Sequence, residues 1–312
     1  MESLQSIKNA HAAGSLAKAA FVEAIYRRHA GLFEYPGALA TTNIAEFRLR
    51  DDGVVAFFRD PPIAMYCPAG DPRSAPLEAF NFGDYERAEF RMVRRLIEAL
   101  GGASTAFFDI GANAGFYSLA LARDFPGIRG RAFEPIPATF ALLGRNLELN
   151  GAAGVVAENL GLSDRTGEAV FHAYPNLSGA SAMARNVESA ESAEIRCPVQ
   201  TLDDYCDATG ADATFVKCDV EGGELRVLRG AQRWLARSRP VIFAEMLRKW
   251  SANYGYHPND IIDLLANLGY ACFVTRGERL DRCEAVTPDT ADTNFFFLHG
   301  DRHAAFLGGF VG

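Results

Sequence analysis

Several common signatures are missing from this 312-residue chain, and each absence removes a class of function. There is no Gly-x-Gly-x-x-Gly turn and no Walker-type loop, so neither a dinucleotide fingerprint nor a phosphate-cradling P-loop is present. No Ser/His/Asp nucleophile pattern can be read. Six cysteines (Cys67, Cys197, Cys206, Cys218, Cys272, Cys283) are scattered with no Cys-x-x-Cys, which makes zinc improbable and suits reduced thiols in a cytoplasm. Basic residues are in deficit, 31 against 39 acidic ones, and the net charge of −8 argues against a nucleic acid held by its phosphates. No apolar run approaches the eighteen residues of a membrane span. The first twenty residues carry an early acid and no continuous apolar stretch, so they do not read as a secretion signal.

What is present begins at residue 105. Thr105-Ala106-Phe107-Phe108 reads as a strand that ends in Asp109, and Gly111-Ala112-Asn113-Ala114-Gly115 follows as a tight turn. Phe116 to Ala122 then reads as a helix, whose first N–H groups are free to face a ligand. The two glycines let backbone come close to another group without a Cβ between. A carboxylate at the strand end repels a pyrophosphate and welcomes an ammonium or a hydroxyl. The turn therefore favours S-adenosylmethionine over NAD.

A second strand, Ile128 to Phe133, ends in Glu134-Pro135, 25 positions after Asp109. In a strand–helix–strand unit this spacing returns Glu134 to the neighbouring strand end, where a carboxylate can accept both ribose hydroxyls. Further strands are expected at Val155–Leu162, Ala213–Asp219 and Pro240–Met246, with Tyr270–Thr275 and Asn294–His299 as a closing pair. Their alternation with helices predicts an α/β fold, a doubly wound parallel sheet covered on both faces. Short strands at 169–172 and 195–199 flank a segment, 176–193, that reads as a mobile loop over the substrate.

Residues 1–80 form an accessory region and 81–312 the main domain. In the former, residues 1–30 look helical, with a stripe that could pack on the main domain or on a second copy of the chain. Ile44–Arg50 and Val54–Phe58 flank Asp51-Asp52-Gly53 as a hairpin, and a proline-rich loop leads to a helix at about 84–100.

The fourth main strand ends in Lys217-Cys218-Asp219-Val220-Glu221-Gly222-Gly223-Glu224, three acids and one lysine at the edge where such sheets bind ligands. Asp219, Glu221 and Lys217 are candidate catalytic residues, with Glu245 from the next strand end. Glu224 reads as a favourable charge at a helix start. The same acids leave a divalent ion open. His172, His257 and the Ser178–Ser181 stretch are lesser candidates, and Phe116 and Tyr117 read as core residues that could also offer an aromatic face to a sulfonium.

As an ordered set these residues resemble the FkbM family of S-adenosylmethionine-dependent methyltransferases. The likeness rests on Asp109 to Gly115, Phe133-Glu134-Pro135, Asn146 with Asn150, Leu162-Ser163-Asp164, Thr201-Leu202-Asp203-Asp204, Lys217 to Gly222 and Leu228-Arg229-Gly230-Ala231. Cys218 departs from the apolar residue common there. The resemblance implies a class I methyltransferase (Rossmann-like) fold and O-methylation of a sugar, glycan precursor or secondary metabolite. It also implies a cofactor shell of Asp109, Gly111, Asn113, Gly115, Phe116, Glu134, Pro135, Asn159, Ser163, Asp164 and Asp219. An N-methyltransferase on a small amine or protein, and a non-catalytic interaction subunit, are the competing readings. The first is weakened because the fourth strand ends without an Asn-Pro-Pro-Tyr type of turn.

Overall fold

The computed structural model describes residues 2–188 and 191–311, so part of the 176–193 segment lies outside the described residues. The expected first helix is two, α1 (Leu4–Ala12) and α2 (Lys18–His29), because Gly14 turns the chain with φ of 74°. They pack on each other, and α2 buries none of its side chains, leaving Val22 and Tyr26 exposed. After α3 (Tyr35–Leu39) come β1 (Ile44–Arg50) and β2 (Gly53–Phe58), the hairpin read from Asp51-Asp52-Gly53.

The proline-rich stretch is not merely a loop. It holds a third antiparallel strand, β3 (Ala64–Cys67), and a helix, α4 (Ala75–Phe82). Its prolines flank the strand or occupy the first helical turn, where a missing N–H costs nothing. Helix α5 (Arg87–Ala99) starts three residues later than expected.

The main sheet uses β4 (Ala106–Ile110), β5 (Arg129–Phe133) and β6 (Val155–Glu158), linked by α6 (Phe116–Asp124) and α7 (Pro137–Leu149). A smaller sheet follows, from β7 (Gly161–Leu162), β8 (Gly167–Ala173) and β9 (Ala193–Gln200), and then α8 (Leu202–Thr209). The expected strand 155–162 is therefore split: its last two residues leave the main sheet and pair with β9. The remaining elements are β10 (Phe215–Cys218), α9 (Glu224–Arg229), α10 (Gln232–Ser238), β11 (Val241–Glu245), α11 (Arg248–Asn253), α12 (Pro258–Ala266), β12 (Tyr270–Arg276), β13 (Arg279–Arg282), β14 (Asn294–His299) and α13 (Ala304–Leu307).

Strand order is β6-β5-β4-β10-β11-β14-β12-β13, with β4, β5, β6, β10 and β11 parallel and β14 reversed between β11 and β12. This is the doubly wound Rossmann-like sheet of the class I methyltransferase fold. Side chains alternate across it, as the pleat requires. Phe107, Phe243 and Phe296 meet α5 and α6 on one face, whereas Phe108, Phe295 and Phe297 meet Trp234, Leu228 and Ile261 on the other. Ile44, Phe58 and Met65 of the small N-terminal sheet belong to the first of these cores.

Two asparagines of α7 hold that small sheet in place. Asn146 is fully buried; it accepts the Tyr66 N–H (2.9 Å) and donates to the Ala114 carbonyl (2.9 Å). Asn150 does the same for the N–H and carbonyl of Ala64 (2.8 and 2.6 Å). In effect two side chains replace a neighbouring strand for β3.

Candidate active site

Parallel order places the C-terminal ends of β5, β4, β10 and β11 side by side, and with them Glu134, the glycine turn, Asp219 and Glu245. At about 4.8 Å per strand, Glu134 and Glu245 stand roughly 14 Å apart along this edge. The strand order reverses between β4 and β10, and a crevice opens at such a switch point. Here it is a cavity of about 530 Å³ whose walls include Asn113, Glu134, Ile136, Lys217, Asp219 and Glu245. Arg73, Glu78 and Phe82 of the N-terminal region complete one side.

The glycines of the turn serve the protein's own packing. Gly111 has φ of 76°, and a Cβ there would lie 1.8 Å from the Asp219 carbonyl oxygen. Gly115 has φ of 93°, and its Cβ would strike Leu143 at 2.6 Å. Gly111 lines the cavity, whereas Gly115 stands off its wall. What faces the cavity is Asn113, whose N–H donates to Glu134 Oε2 (3.1 Å). Glu134 Oε1 accepts the N–H of Ile136 (2.9 Å). Burial pushes this carboxyl up to about 7.

Asp109 sits deeper than the turn it precedes. Only 1% exposed, it lies beneath the turn and off the cavity wall, where Oδ2 accepts the Ser118 hydroxyl (2.7 Å) and Oδ1 stands 3.6 Å from Lys217 Nζ. Lys217 is buried as well. Its Nζ donates to the Gly111 carbonyl (2.9 Å) and pairs with Asp219 Oδ2 at 3.1 Å. Burial alone would depress this lysine, but Asp219, Asp109 and Glu86 outweigh it and hold the ammonium charged. The lysine thus ties β4 to β10 and pins Asp219.

Beyond it three carboxylates gather. Asp219, Glu221 and Glu245 each bring an oxygen within 4.8 Å of the other two. Oδ1 of Asp219 is buried without a hydrogen bond. Burial, then Asp219 and further neighbouring acids, lifts Glu221 and Glu245 well above the usual carboxylate range. Glu221 holds a left-handed backbone, with φ of 56°, and its carbonyl accepts Asn186 Nδ2 (2.8 Å). Pro135 and Phe116 also line the cavity, Phe116 while packing against Phe58, Tyr85 and Phe90.

Asn159, Ser163 and Asp164 do not reach the cavity. The chain leaves the main sheet at Glu158, and Asn159 Nδ2 clamps the carbonyls of Glu134 and Pro135 (both 2.9 Å). Ser163 is buried, its N–H on the Gln200 carbonyl (3.0 Å), with Gly230 packed against its carbonyl. Glu224 accepts the N–H groups of Val220 and Gly222 (2.9 and 3.1 Å) and closes the turn after β10. His257 caps α12, and His172 lies off the cavity. His299 and His303, four apart in sequence, bind each other: His303 Nδ1 accepts the His299 N–H (2.9 Å). Ser178 does line the cavity, anchored by Asp71, which accepts both its hydroxyl (2.6 Å) and its N–H (3.1 Å).

Reading the sequence alone misses Glu86 and Tyr85, which line the cavity beside Tyr117. Glu86 stands just before α5 with φ of 44°, and its Oε2 accepts the Tyr117 hydroxyl (2.5 Å). Its one legible signal was an acid at a helix start.

Residues 109–272, just over half of the chain, match the methyltransferase FkbM domain model. Methyltransferase 1 of Beauveria bassiana is 31% identical over 140 residues, 39% of this chain and 56% of that protein. The 31-O-demethyl-FK506 methyltransferase FkbM of Streptomyces tacrolimicus is 32% identical over 153 residues, 40% of this chain and 58% of that one. The chain thus spans little more than half the length of these curated relatives. A crystal structure of methyltransferase FkbM from Methylobacillus flagellatus shares 22% identity with a TM-score of 0.40, covering 63% of this chain and 44% of its own. The span matched by the family model takes in both the turn at Asp109 and the Lys-Cys-Asp-Val-Glu strand end, and the chain belongs to the FkbM methyltransferase domain family.

Proposed function

We propose that the protein is an S-adenosylmethionine-dependent O-methyltransferase acting on a hydroxyl of a small molecule, a sugar or a glycan precursor. The observation that carries this reading is one cavity with a nucleoside-type carboxylate, Glu134, at one end and three crowded acids at the other. The residues fit the cofactor. Glu134 keeps free lone pairs on both oxygens after accepting two backbone N–H groups, which suits two ribose hydroxyls. Apolar Ile136, Leu142 and Phe171 offer a surface for a flat base. When bound, S-adenosylmethionine supplies an electrophilic methyl group on a sulfonium.

The chain's own part is position and proton. Holding the acceptor oxygen in line is worth about 7–11 kcal/mol in well-oriented reactions. Lys217 fixes Oδ2 of Asp219 while the side chain keeps 27% of its surface exposed on the cavity wall, so this carboxylate is set to hold the acceptor hydroxyl and take its proton as the new O–C bond forms. Glu221 and Glu245, both of high proton affinity, stand ready to share it.

Asp219→Asn keeps the shape and removes the charge. In calorimetry it should bind S-adenosylhomocysteine within a few-fold of wild type. With labelled methyl donor and a panel of sugar and nucleotide-sugar acceptors, its turnover should fall by roughly 10²–10⁴. Wild-type turnover would remove Asp219 as the base and pass the role to Glu221 or Glu245.

A further inference from the structure

Glu86 points a carboxylate at this cavity for which the fold supplies no reason. It occupies the position before α5 where an acidic side chain ordinarily accepts a free helix N–H, yet it makes no such bond. Its backbone is left-handed, φ 44° and ψ 39°, a conformation that a residue other than glycine adopts under constraint from its surroundings. The side chain turns instead toward α6, and among the described residues its hydrogen-bond partner is the neutral Tyr117 hydroxyl.

A largely desolvated carboxylate asks for a cation, yet among the described residues no lysine or arginine pairs with Glu86, and Lys249, also on the cavity wall, lies over the Trp250 ring. Lys217 is a positive group that acts on Glu86, but its ammonium is taken up by the Gly111 carbonyl, Asp219 and Asp109. Burial pushes Glu86 up to about 7, as befits an acid whose counter-charge is not part of the protein. Its place defines what that counter-charge belongs to. Tyr117 is the second residue of α6, two positions after Gly115, so Glu86 stands beside the glycine turn and near β10. Glu134 lies on the other side of that turn, at the end of β5. A ligand with its ribose on Glu134 and its far end toward Asp219 brings that end into the reach of Glu86, which shares the cavity wall and the field of Asp219.

We propose that Glu86 receives the ammonium group of the cofactor's amino-acid tail, an assignment that rests on reading the cavity as an S-adenosylmethionine site. Tyr117 holds the carboxylate in place from behind. Lys217, already saturated, does not compete for it.

The test compares S-adenosylhomocysteine with its deamino analogue, in which only the amino group is replaced by hydrogen, by calorimetry on the full chain. Wild type should prefer the amine-bearing ligand by roughly ten- to a hundredfold. Glu86→Gln should abolish this preference while binding the deamino analogue as wild type does, and Glu86→Asp should keep part of it. No preference in the wild type, or one that survives in Glu86→Gln, overturns the assignment and leaves the methyltransferase reading standing. An equal loss of both ligands in a folded Glu86→Gln also overturns it, because the residue would then hold the cavity's shape. A wild type that binds neither ligand removes the methyltransferase reading itself.

Discussion

One lysine among many acids governs the chemistry of single residues here. Lys217 satisfies Asp109 and Asp219, so Glu86, Glu134, Glu221 and Glu245 line the cavity with no ion pair of their own among the described residues. The cost shows as proton affinity: Glu86, Glu134 and Glu224 are each raised from 4.5 to about 7, chiefly by burial. A group that binds its proton more tightly when folded adds stability below its unfolded pKa and loses it as pH rises through the folded one. These three therefore stabilise most below about pH 4.5 and least above about pH 7. His303 works oppositely, lowered from 6.5 to about 4 by burial, and its contribution disappears as pH falls from 6.5 toward 4. Between pH 6.5 and 8 the acids outnumber it, so scanning calorimetry should show the melting temperature falling as pH rises. Glu224→Gln, which retains an acceptor for Val220 and Gly222, should flatten that slope; a melting temperature that rises over this range contradicts the reading.

Among elements, the sequence patterns that succeed are those whose cause is local. The hairpin at Asp51-Asp52-Gly53 and the strands at β4, β5, β10 and β11 follow from turn chemistry and apolar runs. Elements set by distant contacts were illegible. β13 buries only Leu280 of its four residues and exists because β12 pairs with it. β3 hides among prolines and is completed by Asn146 and Asn150, some eighty residues on. At the site, Glu134, Asp219, Glu221 and Glu245 could be read because they end strands, whereas Glu86 depends on a left-handed turn and on Tyr117, thirty-one residues away. The two asparagines make this dependence measurable. Asn146→Ala strands a buried N–H at Tyr66 and a carbonyl at Ala114, each costing about 1–3 kcal/mol. Urea denaturation should report that loss. A change within about 0.5 kcal/mol would mean that the small sheet is held by apolar packing alone.

For the whole molecule, the essential arrangement is a reversal of strand order that opens a crevice between β4 and β10, walled on one side by the N-terminal region. Because Ile44, Phe58 and Met65 share a core with α5 and α6, that wall is built into the fold and not hung from it. No helix among the described residues is long and apolar enough to cross a membrane, and all six cysteines are free. The central claim is that this crevice takes a nucleoside with an amino-acid tail, and one titration addresses it. Calorimetry of the wild-type chain should show S-adenosylhomocysteine binding and no NADH binding, with Glu134→Ala weakening the former by about 1.5–3 kcal/mol through the lost ribose contacts. Absence of S-adenosylhomocysteine binding, with NADH bound in its place, would contradict the account.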